Sequence, residues 1–266
     1  MMIRQLTDLA GRRSIITGAA GGLGQIIAET LAELGSDLIL VDLPGTNIDL
    51  LKNRLMETYG VSTFGLECDL EKQDQRSILI DNVVNDGREI NVLINNAAFV
   101  GSSDIPGWGV EFVSQSIETW RRALEVNLIA PFELSQGFSK VMMRSKGATI
   151  VNIASIYGQF APDWRIYEST DLGNPAAYSA SKAGLIQFTK WLSTTLAPSV
   201  RVNALAPGGV FTGQQDAFVE AYSLRTPLGR MAKYDDFRGI IAFLASDMSN
   251  YMTGQIVNVD GGWGVW

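Results

Sequence analysis

Short apolar runs alternate along this chain with longer segments in which apolar residues recur every three or four positions. Seven runs rich in Ile, Leu and Val read as strands: Ser14–Thr17, Asp37–Asp42, Ser62–Glu67, Asn91–Asn95, Ala148–Ile153, Val200–Leu205 and Gln255–Val259. Their nearly continuous apolar character marks strands covered on both faces, as in a parallel sheet. The helical period runs through Gly24–Leu34, Ile48–Tyr59, Asp74–Asn85, about Ser116–Arg144, Tyr178–Leu196 and Asp235–Ala245. Strand and helix in this alternation predict one α/β domain over 1–266, a doubly wound seven-stranded parallel sheet. A ligand is then expected at the carboxyl ends of the strands, where the strand order reverses. Two connections, Ala98–Ser116 and Ile156–Ala177, exceed the usual length of a βα loop. Both leave carboxyl ends, so both are expected over that crevice.

Composition narrows the chemistry. Histidine is absent, which removes every Ser-His-Asp or Cys-His mechanism and the commonest zinc ligand. Tyr, Lys, Ser and carboxylates are left for acid–base work, and no metal site is expected. Apolar residues make up 46% of the chain, enough to bury a large core without a staple. The single cysteine, Cys68, forms no internal disulfide and fits a reducing cytoplasm. With 21 basic against 28 acidic side chains the net charge is −7, a surface that repels phosphate backbones and anionic lipid. Neither a nucleic-acid nor a membrane partner is expected. No apolar run approaches the roughly 20 residues of a membrane span, and the start MMIRQLTDLAGRR lacks the apolar core of a signal peptide.

The segment Thr17–Gly24 (TGAAGGLG) joins the first strand to the first helix, with Gly18, Gly22 and Gly24 in T-G-x-x-x-G-x-G spacing. Absent side chains let the backbone, continuing through Leu23, approach a pyrophosphate over the helix N-terminus. Asp42 closes the next strand, 20 residues beyond Gly22, where a carboxylate accepts hydrogen bonds from adenosine ribose hydroxyls. The plainer reading of Asp42 is a turn residue. As a ribose ligand it would repel a 2′-phosphate, and Ala19, Ala20 and Gly21 supply no compensating cation, so NAD is expected over NADP. Further on, Tyr178 and Lys182 lie four apart, on one face of a helix. A free tyrosine has a pKa near 10, and a neighbouring ammonium favours the phenolate. A shift of about three units would need roughly 4 kcal/mol of differential stabilisation.

Together TGAAGGLG, NNAA at 95–98 and YSASK at 178–182 resemble the short-chain dehydrogenase/reductase family, in its compact single-domain branch, over nearly the whole chain. The resemblance implies a Rossmann fold and hydride transfer between a nicotinamide and a secondary alcohol or ketone. Tyr178 would be the proton donor and acceptor, and Ser155 would hydrogen-bond the substrate oxygen. Lys182 would hold the nicotinamide ribose, and Asn127 would distort its helix and bind a water of the proton relay. Asp69 and Leu70 would meet the adenine, with a helix N-cap as the rival use of Asp69. Asn95 would steady the sheet, and Asn96 and Ala97 would border the cofactor. Pro207, Gly208, Val210 and Thr212 would form the turn at the nicotinamide, opening a mobile lid over about 207–223. A homo-oligomer, tetramer or dimer, is the family's habit, and the apolar ending VDGGWGVW suits a subunit contact. Ala98 departs from the glycine more common at its position.

The family usually places about a dozen residues between the serine and the tyrosine, whereas Ser155 and Tyr178 stand 23 apart. The excess carries Asp163, Trp164, Arg165, Tyr167 and Glu168, a polar and aromatic set suited to a sugar. With APGGVF at 206–211 and TPLGRM at 226–231, it resembles a subgroup associated with flagellin modification and nonulosonic-acid sugars. Arg165 is then expected to meet an anionic sugar derivative; the alternative is that the insert packs against a neighbouring subunit. Two other functions share the fold. A sugar dehydratase or epimerase recycles NAD within one turnover but usually has a longer chain, and a non-catalytic dinucleotide sensor tends to lose the Tyr or Lys retained here.

Overall fold

The computed structural model describes residues 2–100 and 105–266, so part of the Ala98–Ser116 connection lies outside the described residues. A short α1 (Ile3–Thr7) precedes β1 (Arg13–Thr17), α2 (Gly22–Glu33), β2 (Asp37–Asp42), α3 (Ile48–Tyr59), β3 (Thr63–Glu67), α4 (Gln73–Asn85) and β4 (Val92–Asn95). Next come α5 (Ile117–Leu124), a π-turn over Glu125–Ile129, α6 (Ala130–Met142), β5 (Thr149–Ile153) and α7 (Ala176–Leu196). The chain closes with β6 (Arg201–Pro207), α8 (Asp216–Arg225), α9 (Arg238–Ala245) and β7 (Ile256–Val259).

All seven strands form one sheet in the order β3-β2-β1-β4-β5-β6-β7, and every neighbouring pair is parallel. Successive strand side chains point to opposite faces. On one face Ile16, Leu38, Leu40 and Ile94 meet Ile27 and Leu31 of α2 and Ile241 and Leu244 of α9. On the other, Ile15, Ile39 and Leu93 meet Leu79 of α4, Leu134 and Phe138 of α6 and Leu192 of α7. Two covered faces explain the continuous apolar runs, each buried Leu or Ile contributing about 1.5–3 kcal/mol. The strand order reverses between β1 and β4, and the chain parts there into a crevice at the carboxyl ends.

Three differences from the sequence reading matter. The long 116–144 helix is two helices joined at the π-turn, with Asn127 in its middle. The Asp235–Ala245 helix begins as a 3₁₀ turn at Tyr234–Phe237. The 207–223 segment, read as a mobile lid, carries most of helix α8, which runs on to Arg225 and of which only Phe218 and Tyr222 are buried. No helix among the described residues is long and apolar enough to cross a membrane.

Candidate active site

The glycine loop is shaped by contacts only glycine permits. Gly18 has φ +63°, and a Cβ on Gly24 would stand 2.0 Å from the Gly18 carbonyl oxygen. The NNAA stretch laces the loop from the next strand: the Asn96 and Ala97 N–H groups donate to Thr17 Oγ1, both at 3.0 Å. Asn96 Nδ2 donates to the carbonyls of Thr17 and Gly18 at 2.9 and 3.0 Å. Asp42 accepts from the backbone N–H of Ala20 and of Leu43, both at 2.7 Å. Its carboxylate therefore secures the turn and also lines the crevice; the two sequence readings of Asp42 are compatible.

The opposite wall of that end holds Cys68, Asp69 and Leu70. Asp69 accepts from the Glu71 N–H at 3.1 Å, while the N-cap of α4 is Lys72, so Asp69 is not that helix's cap. Behind it, Arg76 is 1% exposed. Its guanidinium donates to the Leu70 carbonyl at 2.5 Å and pairs with Glu125 and Glu133 at 2.6 and 2.5 Å. One buried cation thus ties the floor of the crevice to the π-turn. Burial pushes the Cys68 thiol up to about 11.

Ser155 follows β5, and its hydroxyl accepts from the Tyr157 N–H at 3.2 Å. Tyr178 sits in the first turn of α7, and both it and Ser155 line the crevice. Lys182 lies a turn on, 1% exposed, with Nζ 5.8 Å from the Tyr178 ring centre and donating to the Ile153 carbonyl at 2.7 Å. Loss of water lowers Lys182 to about 7. Burial also raises Tyr178, and the Ser155 hydroxyl nearby opposes that rise. Among the protein's own groups, burial therefore works against the lowering expected of Tyr178, and it also disfavours the ammonium of Lys182. Asn127 is fully buried in the π-turn, confirming the distortion. Its amide is committed to the Phe99 backbone at 2.6 and 3.3 Å and to Ser181 Oγ at 3.0 Å, and makes no bond to Lys182. Asn95 donates to Asn152 at 2.8 Å and Asn152 to Thr189 at 2.9 Å, a buried ladder beneath the site.

Pro207, Gly208, Gly209 and Val210 border the same crevice of about 880 Å³. Thr212 does not: it is exposed, its N–H turned to Gln214 Oε1 at 2.8 Å, and Gln214 lines the wall in its place. Sequence reasoning also missed Tyr234, whose ring stands 2.1 Å from where a Gly22 Cβ would be. No local signal marks Tyr234, since the two residues meet only through the fold. Arg122 is a further wall residue, held by Glu71 at 2.7 and 3.1 Å and stacked 5.0 Å from the Phe99 ring. Of the insert, only Ile156 and Tyr157 reach the wall. Arg165 is 78% exposed and pairs with Asp163 at 2.6 Å, away from the crevice. Its expected part in substrate reading is not supported, because its guanidinium finds a carboxylate two residues away.

A glycine-lined crevice running from Asp42 to a Ser–Tyr–Lys cluster defines a nucleotide-dependent oxidoreductase of the short-chain type. Residues 18–264 match the family described as enoyl-(acyl carrier protein) reductase, and the chain belongs to the short-chain dehydrogenase/reductases. It is 31% identical over 259 residues to the 3-oxoacyl-(acyl-carrier-protein) reductase FabG of Aquifex aeolicus, covering 96% of this chain and 98% of that one. It is 29% identical over 252 residues to the post-translational flagellin modification protein A of Campylobacter coli, covering 94% and 97%. A gluconate 5-dehydrogenase of Burkholderia cenocepacia, solved with NADP and tartrate, superposes with a TM-score of 0.87 at 26% identity, covering 100% of each chain.

Proposed function

We propose that this protein transfers a hydride between NAD and a secondary alcohol or ketone, with Tyr178 handling the proton. The observation that carries this reading is that Ser155, Tyr178 and Lys182 meet at one end of a crevice whose other end presents Asp42. When bound, the dinucleotide supplies the ring that accepts or gives the hydride. Gly18, Gly22, Leu23 and Gly24 would hold its pyrophosphate, Asp42, Asp69 and Leu70 its adenosine, with Asn96 and Ala97 alongside. Pro207, Gly208 and Val210 would meet the nicotinamide. Ser155 donates to the substrate oxygen, where charge develops. Burial keeps the Tyr178 proton on, so the protein prepares the acid form that ketone reduction requires.

The cofactor preference rests on charge. The wall cations are Arg122, committed to Glu71, and Lys182 at the far end, so a 2′-phosphate beside Asp42 would face an unrelieved carboxylate. NAD is expected to bind at least about tenfold more tightly than NADP, a difference near 1.4 kcal/mol.

Beyond the glycine loop the wall carries Phe99, Val100, Val126, Ile156, Tyr157, Val210 and Gln214, largely apolar, with Arg122 over the Phe99 ring but paired with Glu71. A neutral carbonyl compound suits it, a keto sugar included, better than the anionic sugar inferred from Arg165. The flagellin-related subgroup stays compatible with that narrower class, and a homo-oligomer in the cytoplasm remains part of the reading. The test is NADH oxidation followed at 340 nm against neutral keto sugars, acyl ketones and sugar phosphates. Net NADH consumption by a neutral ketone supports a reductase; product formation without net consumption points to the dehydratase or epimerase class. No dinucleotide binding in titration calorimetry would refute the proposal.

A further inference from the structure

The turn Gly208–Val210 is held by hydrogen bonds to Val259, Ala232, Tyr222 and Gln214. The Gly208 N–H donates to the Val259 carbonyl at 2.9 Å, the Gly209 carbonyl accepts from Ala232 at 2.9 Å, and the Phe211 N–H donates to the Ala232 carbonyl at 2.8 Å. The Gly209 N–H donates to the Tyr222 hydroxyl at 2.5 Å. The Val210 carbonyl accepts from Gln214 Nε2 at 2.8 Å. The Val210 N–H and the Gly208 carbonyl have no hydrogen-bond partner among the described residues, and Val210 lines the crevice. Since backbone groups alternate in direction along an extended segment, fixing Gly209 and Phe211 toward Ala232 turns the Val210 N–H the other way.

Tyr222 is the side chain that anchors the preceding peptide of the same turn, and its own place is set from three parts of the chain. It is 2% exposed and stacks on Trp263 of the C-terminal segment at 4.3 Å and 19°. Phe218, one turn back on α8, lies 5.9 Å from it and 5.4 Å from Tyr167 of the insert. Arg225 at the end of α8 packs over Trp263 and Trp266 at 5.1 and 5.7 Å and reaches Asp163 of the insert at 3.4 Å.

From this we infer that Tyr222 is a positioning residue for the nicotinamide end of the crevice, aiming the free Val210 N–H at the ligand's carboxamide, and that the long insert braces it through Asp163 and Arg225. The inference rests on the dinucleotide reading above. It gives the insert a task within its own subunit, in place of either substrate contact or subunit packing.

The experiment measures binding of NADH and of ADP-ribose, which lacks the nicotinamide, to the wild-type protein, Tyr222→Phe, Asp163→Asn and the double variant. Tyr222→Phe leaves the half-buried Gly209 N–H unpaired, and is expected to weaken NADH about tenfold while ADP-ribose changes less than about twofold. Asp163→Asn is expected to weaken NADH by about threefold. Because the brace acts through Tyr222, the double variant should be no weaker than Tyr222→Phe alone. Equal losses for both ligands, no loss for NADH, or additive effects in the double variant would overturn the inference. If Tyr222→Phe does not fold, the NADH to ADP-ribose ratio of Asp163→Asn decides, an unchanged ratio refuting it. A wild-type protein that binds neither ligand refutes the dinucleotide reading instead, so the two failures are distinct.

Discussion

Replacing Lys182 by methionine should abolish turnover and yet make the protein more stable, by an amount that depends on pH. The side chain is 1% exposed, and burial lowers it from 10.5 to about 7. At about 1.4 kcal/mol per unit, the charged form is penalised by roughly 5 kcal/mol on folding. Against this stands the hydrogen bond to the Ile153 carbonyl at 2.7 Å. Removing that donor leaves a buried acceptor unpaired, at a cost of about 1–3 kcal/mol. Below pH 7, then, Lys182→Met should be more stable than wild type by about 2–4 kcal/mol.

The pH dependence isolates the lysine. Its folded pKa lies below its unfolded value, so between about 7 and 10.5 the unfolded state binds more protons than the native state. Wild-type stability therefore rises with pH across that window, and the full penalty is present only below it. Working through the linkage, the advantage of Lys182→Met should shrink by about 2–3 kcal/mol between pH 6 and pH 9. Other groups with shifted pKa, such as Cys68, are common to both proteins and cancel in the difference. Urea denaturation of the two proteins at equal concentration, at pH 6, 7.5 and 9, measures it. A stability gap that stays constant over this range would refute the claim that Lys182 is buried at the expense of its charge.

Tyr178→Phe should lower kcat by about 10²-fold or more while leaving NAD affinity within about threefold, checked by single-turnover kinetics and calorimetry. Arg165→Ala should leave kcat/KM unchanged for every accepted substrate, because the guanidinium stands in solvent beside Asp163; a rise in KM for an anionic sugar would restore the earlier expectation. Arg76→Met should destabilise the protein by about 3 kcal/mol, since it strands Glu125 and Glu133 and frees the Leu70 carbonyl. Its adenosine affinity should fall with it, measured with ADP-ribose. Asp42→Ala should bring the NAD and NADP dissociation constants to within about threefold of each other by removing the carboxylate that opposes a 2′-phosphate.

What was legible in the sequence is what local chemistry dictates. Strands buried on two faces leave apolar runs, and a loop in which a Cβ at Gly24 would strike the Gly18 carbonyl leaves glycine at fixed spacing. Tyr178 and Lys182 are adjacent on one helix, so their spacing alone brings them together. Beyond that reach the signal fades. Arg76 sits in a polar helix and reads as a solvated charge, although Glu125 and Glu133 enclose it from elements some 50 residues away. Tyr234 touches Gly22 across most of the chain, and α8 has no apolar stripe because Phe218 and Tyr222 alone face inward.

The insert shows where a length anomaly stops being informative. Its excess residues indicated a task, but composition pointed to a sugar because polar and aromatic side chains serve ligand binding and internal bracing equally well. The contacts of the insert favour bracing. Asp163 holds Arg165 and Arg225 at once, and Tyr167 packs on Phe218 rather than facing the crevice. Under the proposed function, wall residues such as Phe99, Val126, Tyr157, Val210 and Gln214 are the positions at which a change of substrate class should be sought.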